Sequence, residues 1–267
     1  MIEPRRNNAS GDLEHHLTQI DEYGITVVSD VLSPAELHML PDLIDRVCKI
    51  RELHPLQDDA KVQTINMCSN LVNHDPFFRE LCLRPAVLST IATLEPRPGA
   101  TGESGGEIQA LHKDGLGGGI EVQGLQGCQS LWLIDSIDPQ NGATRFGIGT
   151  YRAAPPTQVD KEQWLRAESR LVQMSLPAGS VIVYDARVLH AMSTNHSDRR
   201  RRTLACFYTQ AGLPRMCDQR FYLSPEVQRQ ASPQARVLLG LDSPEPLSAG
   251  GRFYTDGNLP QAPILRK

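Results

Sequence analysis

Apolar positions recur with a helical period through the first third of the chain. Leu13, Leu17, Ile20 and Tyr23 fall near one face, and Gly24 closes that segment. Ile25 to Val28 reads as a short β-branched strand. Ser33-Pro34-Ala35-Glu36 then opens a helix running to about Glu52. Ser33 serves as its N-cap, Pro34 fits its first turn, and Glu36 is the acid that closes a capping box. Asp75-Pro76-Phe77-Phe78 starts another helix, ending near Arg84-Pro85, and Ala86 to Leu94 forms a further apolar one. The Pro/Gly-rich stretch from Glu95 to Gly106 is where the composition shifts.

Beyond that break the pattern changes to short apolar runs separated by turn residues. Strand candidates are Ile108–His112, Leu125–Ile134, Leu171–Ser175, Val181–Tyr184 and Thr203–Tyr208. Helices first and strands later, without alternation, argue against a doubly wound parallel sheet. Several short strands with turns argue for an antiparallel sandwich or barrel. Ser224-Pro225-Glu226 starts a last capped helix that ends around Leu241. The expected organisation is a single domain over 1–267, mainly β with flanking helices. Its parts are a mostly helical flank at 13–94, a β core at 107–210, and tails at 1–12 and 245–267.

Composition narrows the class. The 267 residues carry 27 Lys plus Arg against 31 Asp plus Glu, a formal charge of −4. That balance gives no reason to expect nucleic acid as a partner. No run approaches the roughly 18 consecutive apolar residues of a membrane span, so no membrane partner is expected. Met1 to Asp12 is polar and lacks the apolar stretch of a secretory leader. The six cysteines form no C-x-x-C pair, and Cys206 lies inside an apolar run. Buried reduced thiols and a cytoplasmic location follow as expectations.

Two residues at strand spacing carry the first hint of chemistry. In His112-Lys113-Asp114 the imidazole and the carboxylate would point the same way from an extended strand. Two imidazoles and one carboxylate with open positions is the arrangement of non-heme iron(II) oxygenases. His190 is the best second imidazole, because it closely follows the apolar strand Val181–Tyr184. Arg199-Arg200-Arg201-Arg202 runs directly into the strand Thr203–Tyr208. At least one of these guanidinium groups should turn inward and need a partner, which a dicarboxylate would supply.

Taken together these segments resemble the phytanoyl-CoA dioxygenase family of iron(II)/2-oxoglutarate-dependent oxygenases. The resemblance rests on Tyr23-Gly24-Ile25-Thr26-Val27-Val28, on Val31-Leu32-Ser33-Pro34-Ala35-Glu36-Leu37, and on Gln109-Ala110-Leu111-His112-Lys113-Asp114-Gly115. It continues through Asn141-Gly142-Ala143-Thr144-Arg145, Pro177-Ala178-Gly179-Ser180 and Asp185-Ala186-Arg187-Val188-Leu189-His190. It spans about Leu13 to Leu241.

The resemblance implies a double-stranded β-helix (a jelly roll, cupin-like) with His112, Asp114 and His190 as ligands of iron(II). It also implies 2-oxoglutarate and dioxygen as co-substrates. The family's co-substrate arginine falls on Arg201, and Gln109 and Thr144 sit where the family often contacts 2-oxoglutarate. Gln109 lies three residues before His112, so a bulge would be needed to bring both to one face. Phe146-Gly147-Ile148-Gly149-Thr150-Tyr151-Arg152 replaces the family's usual Pro-Gly-Ser-His after the central turn. Asp114 stands where related halogenases carry a small residue, which disfavours halogenation.

The expected activity is oxidation, most simply hydroxylation, of a small organic substrate such as a specialised metabolite, with conversion of 2-oxoglutarate to succinate. A fatty acyl-CoA hydroxylase of the same family and a non-catalytic or other-metal cupin-like relative are the competing readings. A homodimer is compatible with the resemblance. Trp132 and Trp164 read as core or surface aromatics rather than substrate contacts.

Overall fold

The computed structural model describes residues 2–7, 10–53, 71–92, 111–114, 127–152, 171–209 and 219–242. Among the described residues seven strands form two antiparallel sheets: β1 (Ile25–Val28), β2 (Gly127–Leu133), β3 (Arg145–Gly147), β4 (Leu171–Gln173), β5 (Val181–Asp185), β6 (Leu189–Ala191) and β7 (Thr203–Thr209). The larger sheet has the order β1-β5-β2-β7 and the smaller one β4-β3-β6. This is the jelly roll that the sequence leads one to expect.

Alternation along the strands of the larger sheet explains the layering. Val27, Leu131, Leu133, Ile182 and Tyr184 face the smaller sheet, where Phe146, Ala143 and Val188 complete an inner core. Their neighbours Val28, Cys128, Trp132, Val181, Val183 and Cys206 point the other way, into a second core capped by helices. Both faces are therefore apolar, which is why these strands read as continuous hydrophobic runs. Each fully buried Val, Leu, Ile or Phe contributes about 1.5–3 kcal/mol by leaving water. Trp132 is fully buried in the helix-facing core, and its indole N–H donates to Ser130 Oγ at 3.0 Å. It belongs to the packing and not to the space between the sheets. Trp164 lies outside the described residues.

The helices that cover the larger sheet are α1 (Ser10–Tyr23), α2 (Pro34–Leu53), α3 (Pro76–Leu81), α4 (Pro85–Ala92), α5 (Gln219–Tyr222), α6 (Pro225–Gln230) and α7 (Pro233–Leu239). The capping box of α2 is formed. The Ser33 amide donates to Glu36 Oε2 at 2.8 Å, and the Glu36 amide donates to Ser33 Oγ at 3.3 Å. Gly24, which ends α1, has φ of 79°, a left-handed value that favours glycine.

The structure corrects the sequence reading at both flanks. Residues 2–7, expected as part of a loose tail, are tied to β1 at Arg5. The Arg5 amide donates to the Val27 carbonyl at 3.1 Å, and the Ser29 amide donates to the Arg5 carbonyl at 2.7 Å. This occupies part of the open edge of the larger sheet. At the other end, the single helix expected from Ser224 to about Leu241 is two helices. Ser232 caps the second just as Ser224 caps the first, each accepting from a backbone amide three residues on. The repeated Ser-Pro pair was the signal for a second start.

Among the described residues Cys82, Cys128 and Cys206 are buried free thiols. No described helix is long and apolar enough to cross a membrane.

Candidate metal centre

Two backbone hydrogen bonds build the site. The His112 amide donates to the His190 carbonyl at 3.0 Å, and the His190 amide donates to the His112 carbonyl at 2.9 Å. Residues paired this way in antiparallel strands present their side chains on the same face. Asp114, two residues on from His112, returns to that face. His190 was expected at the end of the strand Val181–Tyr184. It sits instead on a separate strand, β6, in the opposite sheet. The chain crosses over through a corner in which the Asp185 side chain accepts from the Arg187 amide at 2.8 Å.

The three side chains converge. Each of His112, Asp114 and His190 offers a ligand atom within 4.8 Å of the other two. Nε2 of His112 lies 3.5 Å from Asp114 Oδ1, and Nε2 of His190 lies 3.4 Å from Asp114 Oδ2. The Nδ1–H of His190 donates to the Val188 carbonyl at 3.0 Å. That bond fixes the tautomer and leaves the Nε2 lone pair facing the cluster. Burial holds the pKa of His190 below its ordinary value, so the ring stays neutral, as a ligand must be. Asp114 Oδ2 is buried and accepts no hydrogen bond. A buried carboxylate oxygen in that state is costly, and a cation between the three groups would satisfy it. Two imidazoles and one carboxylate are the donor set of a first-row divalent metal such as iron(II).

An aromatic wall backs the cluster. The Tyr184 ring, from β5, meets the His190 ring edge-on at 5.0 Å. Phe146, from β3 and directly opposite His190 in register, stacks on it at 6.2 Å. The rings of His112 and His190 are 4.3 Å apart. These apolar neighbours keep water from the buried side of the imidazoles.

The four arginines separate by partner. Arg199 pairs with Asp138 at 2.5 Å, Arg200 with Asp45 at 2.7 Å, and Arg202 with Asp135 at 3.1 Å. Arg201 turns inward and donates to the Gly142 carbonyl. Burial lowers its pKa from the usual guanidinium value. Thr144 is buried and stands two residues before Phe146, beyond the turn that Gly142 makes. Gln109 and residues 115–119 lie outside the described residues.

Three neighbours of the cluster escaped the sequence reading: Tyr184, Lys113 and Thr150. Nζ of Lys113 donates to the Thr150 carbonyl at 3.1 Å. Lys113 lies inside the His112–Asp114 motif, but only the pairing across the fold brings Tyr184 and Thr150 to it.

Comparison with known proteins shows the family and the fold. The family model described as Phytanoyl-CoA dioxygenase (PhyH) matches residues 20–203. A dioxygenase of Aspergillus fumigatus, af480, is 23% identical over 255 residues, covering 86% of this chain and 77% of its own. Among solved structures, the non-heme α-ketoglutarate-dependent carbocyclase SnoK from nogalamycin biosynthesis superposes with a TM-score of 0.60 at 16% identity. It covers 76% of this chain and 85% of its own. HygX from Streptomyces hygroscopicus, solved with nickel, 2-oxoglutarate and hygromycin B, gives a TM-score of 0.59 at 14% identity, covering 74% and 88%. These two likenesses concern the fold, while the family model spans most of the chain. The chain therefore belongs to the phytanoyl-CoA dioxygenase family and is a non-heme iron(II)/2-oxoglutarate-dependent dioxygenase.

Proposed function

We propose that the protein hydroxylates a small organic molecule, a specialised metabolite, at an iron(II) ion held by His112, Asp114 and His190. The observation that carries this reading is the convergence of two imidazoles and an otherwise unsatisfied carboxylate oxygen at one point between the sheets. When bound, iron(II) with 2-oxoglutarate and dioxygen supplies the oxidising power, 2-oxoglutarate leaving as succinate and carbon dioxide.

The chain's own residues bind and orient. Arg201 anchors the far carboxylate of 2-oxoglutarate by a charge-assisted pair, with Thr144 beside it on the approach to β3. Gln109 joins them on the strength of the family resemblance. The Val188 carbonyl holds the His190 ring in its ligating tautomer. Phe146, Tyr184, Leu131 and Ile182 line an apolar interior that excludes water from the reaction. The substrate class draws support from the fold relatives, since SnoK belongs to nogalamycin biosynthesis and HygX was solved with hygromycin B. The buried free thiols Cys82, Cys128 and Cys206 suit the reducing cytoplasm.

The test is spectroscopic. Anaerobic addition of iron(II) and 2-oxoglutarate to the metal-free protein should give a weak visible charge-transfer band. Admission of air should then convert 2-oxoglutarate to succinate. A protein that binds neither iron nor 2-oxoglutarate would be a non-catalytic relative.

A further inference from the structure

Thr150 offers no atom to the metal cluster, yet it touches both chain segments that carry the proposed ligands. Its hydroxyl donates to the Gly147 carbonyl at 2.6 Å and accepts from the Leu189 amide at 2.8 Å. Its own carbonyl accepts from Lys113 Nζ at 3.1 Å. Leu189 immediately precedes His190, and Lys113 stands between His112 and Asp114. Thr150 is only 4% exposed, so the two bonds of its hydroxyl are made away from competing water.

The surroundings are built to hold it. Gly147 is opposite Leu189 in register, and a Cβ there would come within 3.0 Å of Thr150 Cγ2. The adjoining Gly149 amide donates to the Tyr23 carbonyl at 2.9 Å, which ties the turn to the end of α1. The need for such a tie is visible in the sheet. β6 has three residues, and His112 joins it through an isolated bridge. So short a pairing fixes its register weakly by backbone alone.

We infer that Thr150 is a positioning residue of the metal centre. It links the Leu189–His190 strand to the His112–Asp114 segment and fixes how far apart the ligand atoms stand. The segment 146–152, which departs from the family's usual sequence, thus has a definite task at the site. This rests on the reading that His112, Asp114 and His190 bind a metal. Groups that hold ligand side chains in place typically contribute ten- to a hundredfold in metal affinity.

Cobalt(II) titration of the metal-free full chain tests it by calorimetry. Thr150→Val should weaken cobalt binding about tenfold or more, and Thr150→Ser, which keeps the hydroxyl, should restore it. Ser130→Ala removes a comparably buried hydroxyl on the far face of the larger sheet. It should lower the melting temperature without changing cobalt affinity. Should Thr150→Val fail to fold, Lys113→Met cuts the tie from the other side. Loss of a nearby positive charge would by itself strengthen cation binding, so weaker binding in Lys113→Met reports lost positioning. Cobalt affinity unchanged in Thr150→Val, or in Lys113→Met where that variant stands in, overturns the inference. So does an equal loss in Ser130→Ala. A wild-type protein that binds no cobalt overturns the metal reading itself, and the positioning role with it.

Discussion

His112 and His190 exchange both of their backbone hydrogen bonds, at 3.0 and 2.9 Å, and their rings leave the sheet side by side. The pairing that brings the two proposed ligands together is therefore made by main-chain groups, reinforced from Thr150, and not by the imidazoles. Replacing either imidazole removes a ligand without unpicking the strands. His112→Ala and His190→Ala should keep the wild-type circular dichroism and lose metal binding together with succinate formation. Asp114→Asn should behave likewise, with a metal-free melting temperature no lower than wild type, because it removes a buried charge whose Oδ2 lacks a donor. Retained turnover in any of the three sinks the ligand assignment.

Arg201 and Arg202 are neighbours with separable roles. Arg201 turns inward toward Gly142, while Arg202 is held by Asp135 through both its guanidinium and its backbone amide. Arg201→Ala should raise the 2-oxoglutarate concentration for half-maximal turnover roughly ten- to 150-fold, from loss of about 1.5–3 kcal/mol. Arg202→Ala should leave that concentration unchanged and lower stability by about 1 kcal/mol. Reversed effects on steady-state kinetics and thermal melting would place the co-substrate anchor one residue later.

The His112–Asp114 pair and an inward turn somewhere in Arg199–Arg202 were legible because each is a local pattern, whereas Arg201 in particular was singled out by the family resemblance. A His-x-Asp pair shares a face on any strand, and an arginine run entering an apolar strand must turn somewhere. What stayed hidden depends on pairing across the fold. β3 and β6 have three residues each, too few for an alternating pattern to stand out. Their partners are fixed by register, so neither the place of His190 in the smaller sheet nor the contact of Thr150 with Leu189 could be read from the chain. The N-terminal residues looked like a tail because polar side chains hid a backbone that pairs through its amides and carbonyls.

Gly142 is the next point of vulnerability. Its φ is 84°, and a Cβ there would lie 2.6 Å from the Ser193 carbonyl oxygen and 2.9 Å from that of Thr194. These are backbone atoms with little freedom to move. Gly142→Ala should cost about 1–3 kcal/mol from the left-handed conformation alone, with the clash added. Because the Gly142 carbonyl receives Arg201, the variant should also bind 2-oxoglutarate more weakly. Denaturant unfolding together with a 2-oxoglutarate titration measures both.

Acid sensitivity should trace partly to His16. Its ring is fully buried between Thr26 Oγ1 at 2.9 Å and the Arg6 carbonyl at 3.3 Å. Burial holds its pKa below the ordinary value. The unfolded chain takes up that proton near pH 6.5, and the folded chain resists it. The contribution to stability is present above about pH 6.5 and is lost as the pH falls through the depressed folded value. Melting temperatures should drop between pH 7 and pH 5, and His16→Gln should drop less. An equal drop in that variant removes His16 from the account.

β1 has a consequence for how the protein is made. Ile25 lies opposite Tyr184 and Val28 opposite Val181, so the strand nearest the start of the chain waits for one made late in synthesis. Contacts between such distant segments are slow to form, because a long loop must close before any bond rewards it. α1 and β1 therefore leave the ribosome with their apolar sides uncovered. The edge that Arg5 later bridges is open through most of translation, and expression at lower temperature or with added chaperone should favour the folded enzyme over aggregates.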